Sequence, residues 1–287
     1  MGGIIPDEGL CMAILHCLAK TGQSLEIGNQ IIAFLKQSFI KIQEYHITPI
    51  LLCLEQAQPD DVGYAFALLH LMAEEKITPT NTTTQPVVRM LAANKENRTN
   101  AIEWLKTKAT SGKNISIHAW NCLIAAQVGT VGKNLSVGLP EFQQAIGLLD
   151  DAKSFGISPD TRTYNLLLRG CMRFRYPERG RNLYRMMLDL GVERNGETHE
   201  RLILLTLLEE DYEDAFLHLE QMQDEKFVPS ALVLMAIAKK CAGKVDARWK
   251  ACVRKMESLG YPIPEEWLQS IMVRPVTVEV QPESELA

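Results

Sequence analysis

Apolar side chains recur three and four residues apart through most of this chain. That spacing gathers them on one face of an α-helix. Tyr164, Leu167, Leu168 and Cys171 form one such stripe. A break follows at Tyr176-Pro177, and Leu183, Met187 and Leu190 form the next. Gly191 comes directly after, where a helix can end, because glycine enters the left-handed region without steric cost. The same two-stripe unit returns in 196–230 with Leu202, Leu205, Ala215, Leu219 and Met222. Alternating β-branched runs and Asn-Gly hairpins, the marks of strands, are nearly absent. The pattern predicts helices, arranged in pairs.

The pairs are periodic. Gly156-Ile157, Gly191-Val192 and Lys226-Phe227 follow at steps of 35, and Gly260-Tyr261 after 34. Met187, Met222 and Met256 step by 35 and 34, Pro159, Pro229 and Pro264 by 70 and 35, and Tyr164 and His199 by 35. Series that interleave in phase mark an internal repeat. One helical pair cannot bury its apolar face alone, whereas stacked pairs bury a continuous core. The expected fold is therefore all-α, a right-handed α-solenoid of about seven helix-turn-helix repeats plus a capping helix. It occupies 1–273, with units at 8–45, 46–80, 81–116, 117–160, 161–195, 196–230 and 231–264 and a half unit at 265–273. Unit 117–160 is lengthened by a Gly-rich insert, Gly129 to Gly138. Residues 274–287 hold two prolines and three glutamates and read as a disordered acidic tail. Ile5-Pro6-Asp7 resembles the close of a unit, which suggests that repeats and a presequence precede this chain.

Composition narrows the function classes. The chain has 287 residues, 46% hydrophobic and 23% charged, ordinary values for a folded chain. No apolar run approaches the ~18 residues of a membrane span, so no membrane insertion is expected. Seven cysteines include no CxxC pair, which points away from a disulfide scaffold. Cys122, Cys171 and Cys241 lie on apolar faces and read as core thiols. The motif search yields no HExxH, no HxE with a later CxxC, no Walker loop, no GxSxG and no GxGxxG. No enzyme, cofactor, metal site or catalytic residue is expected.

The segment Thr163–Asn195, TYNLLLRGCMRFRYPERGRNLYRMMLDLGVERN, resembles a pentatricopeptide repeat of the plain 35-residue type. The resemblance lies in Thr163-Tyr164-Asn165, in Gly170, and in Met187 followed by Gly191-Val192. It is strongest over Ile117–Ser230, less marked over His46–Thr80, and weak elsewhere. It implies sequence-guided binding of single-stranded RNA in an organelle, here the mitochondrion, for RNA processing, stability or translation without catalysis. A regular helical array can meet the exposed base edges of a single strand. In the family, the fifth residue of a first helix and the last residue of the same unit read a base. That implies base readout by Asn121 with Asp160, resembling a uracil reader, and by Asn165 with Asn195, favouring pyrimidines. Short amide and carboxylate groups present donors and acceptors at little rotamer cost. The second residues, His118 and Arg162, would stack on bases, where the family more often has valine. Arg173 and Lys20 match the family's phosphate-binding position, and Arg169 lies on the same helix as Arg173. Two units depart from the pattern. Unit 196–230 pairs Glu200 with Ser230, and unit 46–80 places the apolar Ile50 at the reading position. A protein-interaction scaffold, in assembly of a mitochondrial ribosome or respiratory complex, is the alternative.

A net charge of -5 gives no global basic footprint, yet the charge is strongly patterned. Unit 161–195 holds eight arginines against three acids, unit 231–264 seven bases against two acids, and unit 196–230 ten acids against two bases. The acidic unit would repel a phosphate backbone, so RNA contact would end there or a basic protein partner would bind. The bland reading is that the arginines cover an outer face and pair with neighbouring acids.

Overall fold

The computed structural model describes residues 6–112, 115–129 and 138–272. Every regular element among them is a helix. In chain order they are α1 (Glu8–Thr21), α2 (Leu25–Gln37), α3 (Glu44–Ala57), α4 (Val62–Glu74), α5 (Asn81–Ala93), α6 (Lys95–Thr110), α7 (Ile117–Val128), α8 (Leu139–Ser154), α9 (Thr161–Phe174), α10 (Pro177–Asp189), α11 (Gly196–Thr206), α12 (Glu213–Asp224), α13 (Ala231–Gly243), α14 (Trp249–Ser258) and α15 (Glu265–Met272). Seven pairs and a further helix make up the all-α repeat architecture that the apolar spacing predicts. The acidic tail 274–287 and most of the Gly-rich insert, 130–137, lie outside the described residues.

The in-phase residues have a common physical cause. Every second helix ends on a left-handed residue: Phe39, Lys76, Gly112, Gly156, Gly191, Lys226 and Gly260, with φ between 55° and 71°. After Lys76, Gly191, Lys226 and Gly260 the next residue's N–H turns back to the helix. Ile77 donates to the Met72 carbonyl at 2.8 Å, Val192 to Met187 at 3.0 Å, Phe227 to Met222 at 2.9 Å and Tyr261 to Met256 at 3.0 Å. This closure satisfies a carbonyl that the helix end leaves open, and the residue after it packs back on the helix. The methionine supplies that carbonyl, and its side chain is 0–1% exposed in each case. The periodic Met, Gly and apolar positions are thus three parts of one helix-ending device.

Two compact units divide the chain, residues 1–170 and 171–287. In the first, α1, α3, α5 and α7 stack in chain order, and α2, α4, α6 and α8 flank them. Its core includes Leu15, Leu35, Ile47, Leu51, Phe66 and Trp120, each 0–1% exposed; a buried side chain of this size is worth about 1.5–3 kcal/mol. Gly170 lies so close to the Phe142 ring that a Cβ there would meet it at 2.1 Å. The family-like glycine at that place is a packing requirement. In the second unit α11 packs on α12 and α13, and α13 on α14 and α15. Ile203, Ala215, Met222, Val233, Ile237 and Cys241 form its core. Gly180 plays the same part there, against Leu205. The three cysteines read as core thiols are buried, and burial pushes each thiol up to about 12.

Candidate nucleic-acid interface

The first half of α7 carries one residue of the first expected reading pair, Asn121. Ser116 caps the helix, its hydroxyl accepting the His118 N–H at 3.2 Å. One turn on, Asn121 faces the start of α9 and donates from Nδ2 to Asp160 Oδ1 at 3.0 Å. Asp160 also caps α9: its Oδ1 accepts the Thr163 N–H at 2.8 Å. The Thr163 hydroxyl lies 2.7 Å from Asn121 Oδ1 and 2.9 Å from Asp160 Oδ1. A hydroxyl has one proton, so it donates to one of these oxygens at a time. Amide, carboxylate and hydroxyl form a closed triad, in which Asn121 is 2% and Thr163 0% exposed.

Two further residues from the sequence reading belong to this cluster. His118 is half-buried. Burial holds its imidazole below the usual range; the Asp160 charge opposes the shift and the Arg162 charge adds to it. A neutral ring at pH 7 follows. Arg162 reaches away from its own helix to the start of α5, where it bonds Pro79, Asn81 and Thr84. The structure thus brings together His118, Asn121, Asp160 and Arg162.

The remaining candidates lie elsewhere. Asn165 is buried on α9 at 2% exposure. Asn195, in the second unit, caps α11 through the Thr198 N–H at 3.0 Å. Arg169 is exposed, and so is Arg173, whose guanidinium lies 5.4 Å from the Phe174 ring. Lys20 is exposed in the last turn of α1.

Other residues at these positions escape a sequence reading. α3 begins at Glu44, two residues before the frame counted from the sequence. Its fifth residue is therefore Thr48, not Ile50, which is 1% exposed in the core. Thr48 Oγ1 lies 2.6 Å from Thr83 Oγ1, repeating the contact of Asn121 with Thr163. Tyr45 takes the second position and is 48% exposed, its hydroxyl donating to Glu8 at 2.7 Å. The signal for this start is a capping box of Gln43 with His46, hard to read because neither is a common cap. In unit 196–230 the fifth and last residues again meet: Glu200 accepts the Ser230 N–H at 2.8 Å. That carboxylate is engaged on the backbone.

The alternating charge resolves into pairs inside the second unit. Glu209 binds Arg181, Glu225 binds Arg194 and Glu210 binds Lys244. Glu213 holds Arg248 with two bonds of 2.6 and 2.8 Å. Arg248 also lies 4.0 Å from the Phe216 ring centroid. Four carboxylates of the acidic repeat thus face the bases of the repeats on either side, which leaves less of that charge for an outside partner. Among the described residues no group of three or more His, Cys, Asp or Glu could hold a metal ion. None of their helices is long and apolar enough to cross a membrane.

Residues 8–139 match a family model described as pentatricopeptide repeat-containing protein. The match falls mostly on the half whose repeats are least regular in sequence. No curated protein matches the chain. Among similar solved structures, pentatricopeptide repeat protein PPR10 from maize superposes with a TM-score of 0.51 at 16% identity, over 94% of this chain and 36% of that one. The same maize protein in complex with an 18-nt psaJ RNA element gives 0.46 at 15% identity, over 89% and 41%. The pentatricopeptide domain of Arabidopsis thaliana protein-only RNase P 1, in complex with tRNA, gives 0.36 at 14% identity, over 81% and 97%. The chain thus spans well under half the length of the maize protein. Residues 8–139 thus match the pentatricopeptide repeat family, and the chain shares the helical-repeat fold of a pentatricopeptide repeat protein over most of its length.

Proposed function

We propose that the chain binds single-stranded RNA on the first helices of its repeats and acts in an organelle, the mitochondrion, in RNA processing, stability or translation without catalysis. One observation carries the reading: Asn121 and Asp160, fifth and last residues of one repeat, meet at 3.0 Å. An amide and a carboxylate so placed offer adjacent donors and acceptors to a single base edge. A neutral His118 at the second position can stack without repelling a neighbouring arginine. Arg169, Arg173 and Lys20 would supply phosphate contacts, and Asn165 and Asn195 a further pyrimidine preference. Bound RNA would be shielded from nucleases or kept unfolded for another factor.

The test is fluorescence anisotropy of the purified chain against oligo-U, oligo-C and oligo-A at two salt concentrations. Binding should favour the pyrimidines and weaken with salt. Arg173→Ala should weaken all three RNAs alike and lower the salt slope by up to ~0.7. Asn165→Ala and Asn195→Ala should shift base preference instead. Equal binding of every variant to every RNA would overturn the reading.

A second reading, a scaffold for assembly of a mitochondrial ribosome or respiratory complex, draws on a groove in the second unit. Leu204, Leu207, Leu208 and Met172 line it, with Arg175 and Lys239 also at its wall, around about 710 Å³. Leucines in place of aromatic rings suit a protein segment better than a base. Failure to bind any oligonucleotide at low salt would favour it.

A further inference from the structure

We infer that Arg162 is a latch over the base-reading face of repeat 117–160. This rests on the RNA reading above and adds a gate to it: the repeat is shut until one side chain moves. A guanidinium is a planar fork of five N–H donors, able to hold several acceptors at once. From the second residue of α9, Arg162 donates to the Pro79 carbonyl at 3.4 Å, to Asn81 Oδ1 at 3.2 Å and to Thr84 Oγ1 at 2.9 Å. All three acceptors lie at or just before the start of α5. The helices α5 and α9 belong to repeats two apart, and α7 packs on α5 between them. The arm therefore crosses the first turns of α7.

What lies beneath the arm fits this placement. The Arg162 charge acts on both His118 and Cys122 of α7. Cys122 Sγ lies 4.0 Å from the carbonyl of Thr84, whose hydroxyl Arg162 holds. Asn121 and Cys122 are each 2% exposed. A base edge cannot reach an amide covered to that extent. The latch is built from charge-assisted bonds to neutral groups, strong enough to hold and weak enough to exchange. A lysine could not replace it, since a single ammonium point lacks the fork that spans a carbonyl, an amide and a hydroxyl.

Cys122 makes the latch testable without RNA. Iodoacetamide labelling of the native cysteines would be followed residue by residue by peptide mass spectrometry, in the native chain and in Arg162→Ala. Labelling of Cys122 should rise about tenfold, the factor for a loss of about 1.4 kcal/mol of closure. Cys53, buried in the same unit, should not change. The gain must overcome the lost arginine charge, which now lowers the Cys122 pKa, so a rise reports exposure. Arg162→Met keeps the aliphatic stem and loses the donors; it should move in the same direction with less disturbance of packing. Stopped-flow association with oligo-U should quicken for both variants. Unchanged Cys122 labelling would overturn the latch, and so would equal acceleration of all buried thiols, which means general loosening. A Cys122 rise with unaltered RNA association would overturn the gating. If neither protein binds oligo-U, the RNA reading fails, while the thiol measurement still decides the latch.

Discussion

At Gln127 a polar side chain occupies a core position. It is the eleventh residue of α7, and the corresponding Leu91, Cys171 and Cys241 are apolar and 0% exposed. Gln127 is also 0% exposed, and among the described residues neither its Nε2 nor its Oε1 has a hydrogen-bond partner. An unsatisfied buried amide costs about 1–3 kcal/mol. Gln127→Leu keeps a similar volume and removes that cost, so its urea midpoint should rise by the equivalent of about 1–3 kcal/mol. A midpoint at or below the native value would show that the amide is satisfied in solution. The contrast with Asn121 is instructive. Both amides sit on α7 at 0–2% exposure, but Asn121 has Asp160 and Thr163 as partners. The family resemblance implies Asn121 and Asp160 as a pair. It does not show Thr163 completing the triad or Arg162 covering it, because those contacts link helices 42 and 78 residues apart.

Among the elements, helix ends were more legible than helix starts. Each second helix ends on a left-handed residue, which demands a glycine or a tolerated substitute, so the sequence carries a visible mark. First helices begin with varied caps. Asp7 accepts from Leu10 and Asn195 from Thr198, while α3 starts on Gln43 and His46. Such variety explains the two-residue slip that put Ile50 in the place of Thr48. Helix contacts leave a mark only where they need a special residue, as at Gly170. Gly170→Ala should destabilise the chain by about 1–3 kcal/mol, since overpacking forces Phe142 or the backbone to shift. Hydrogen exchange in α8 and α9 would read it. Protection equal to that of the native chain would mean the ring moves aside at no cost.

At the scale of the molecule, the two units are held by different balances. The second has carboxylates of one repeat bonded to bases of the repeats before and after it, through Arg181, Arg194, Lys244 and Arg248. Partly exposed pairs are worth about 0.2–1 kcal/mol each and are screened by salt. Raising the salt to 1 M should therefore speed hydrogen exchange in α11 to α14, which four such pairs join, more than in α3 to α5, where one pair, Glu55 with Arg89, links the first helices. Equal response of both sets would mean that the four pairs of the second unit add no more than the single pair between α3 and α5. The block pattern of charge was visible in the sequence, but the partner of each charge was not. Ten acids in one repeat could equally have faced solvent or another protein, and only the stacking of helices decides which charges come within bonding distance. By itself the sequence determined the helical pairs, their period and their number, because apolar spacing and helix-ending residues act locally and repeat. Tertiary structure alone decided that Asn121 is buried against Asp160 and Thr163, that Arg162 reaches to the start of α5, and that four of the ten acids in the acidic repeat meet bases of its neighbours. Those outcomes depend on distances between helices far apart in the chain, which spacing along the sequence does not encode.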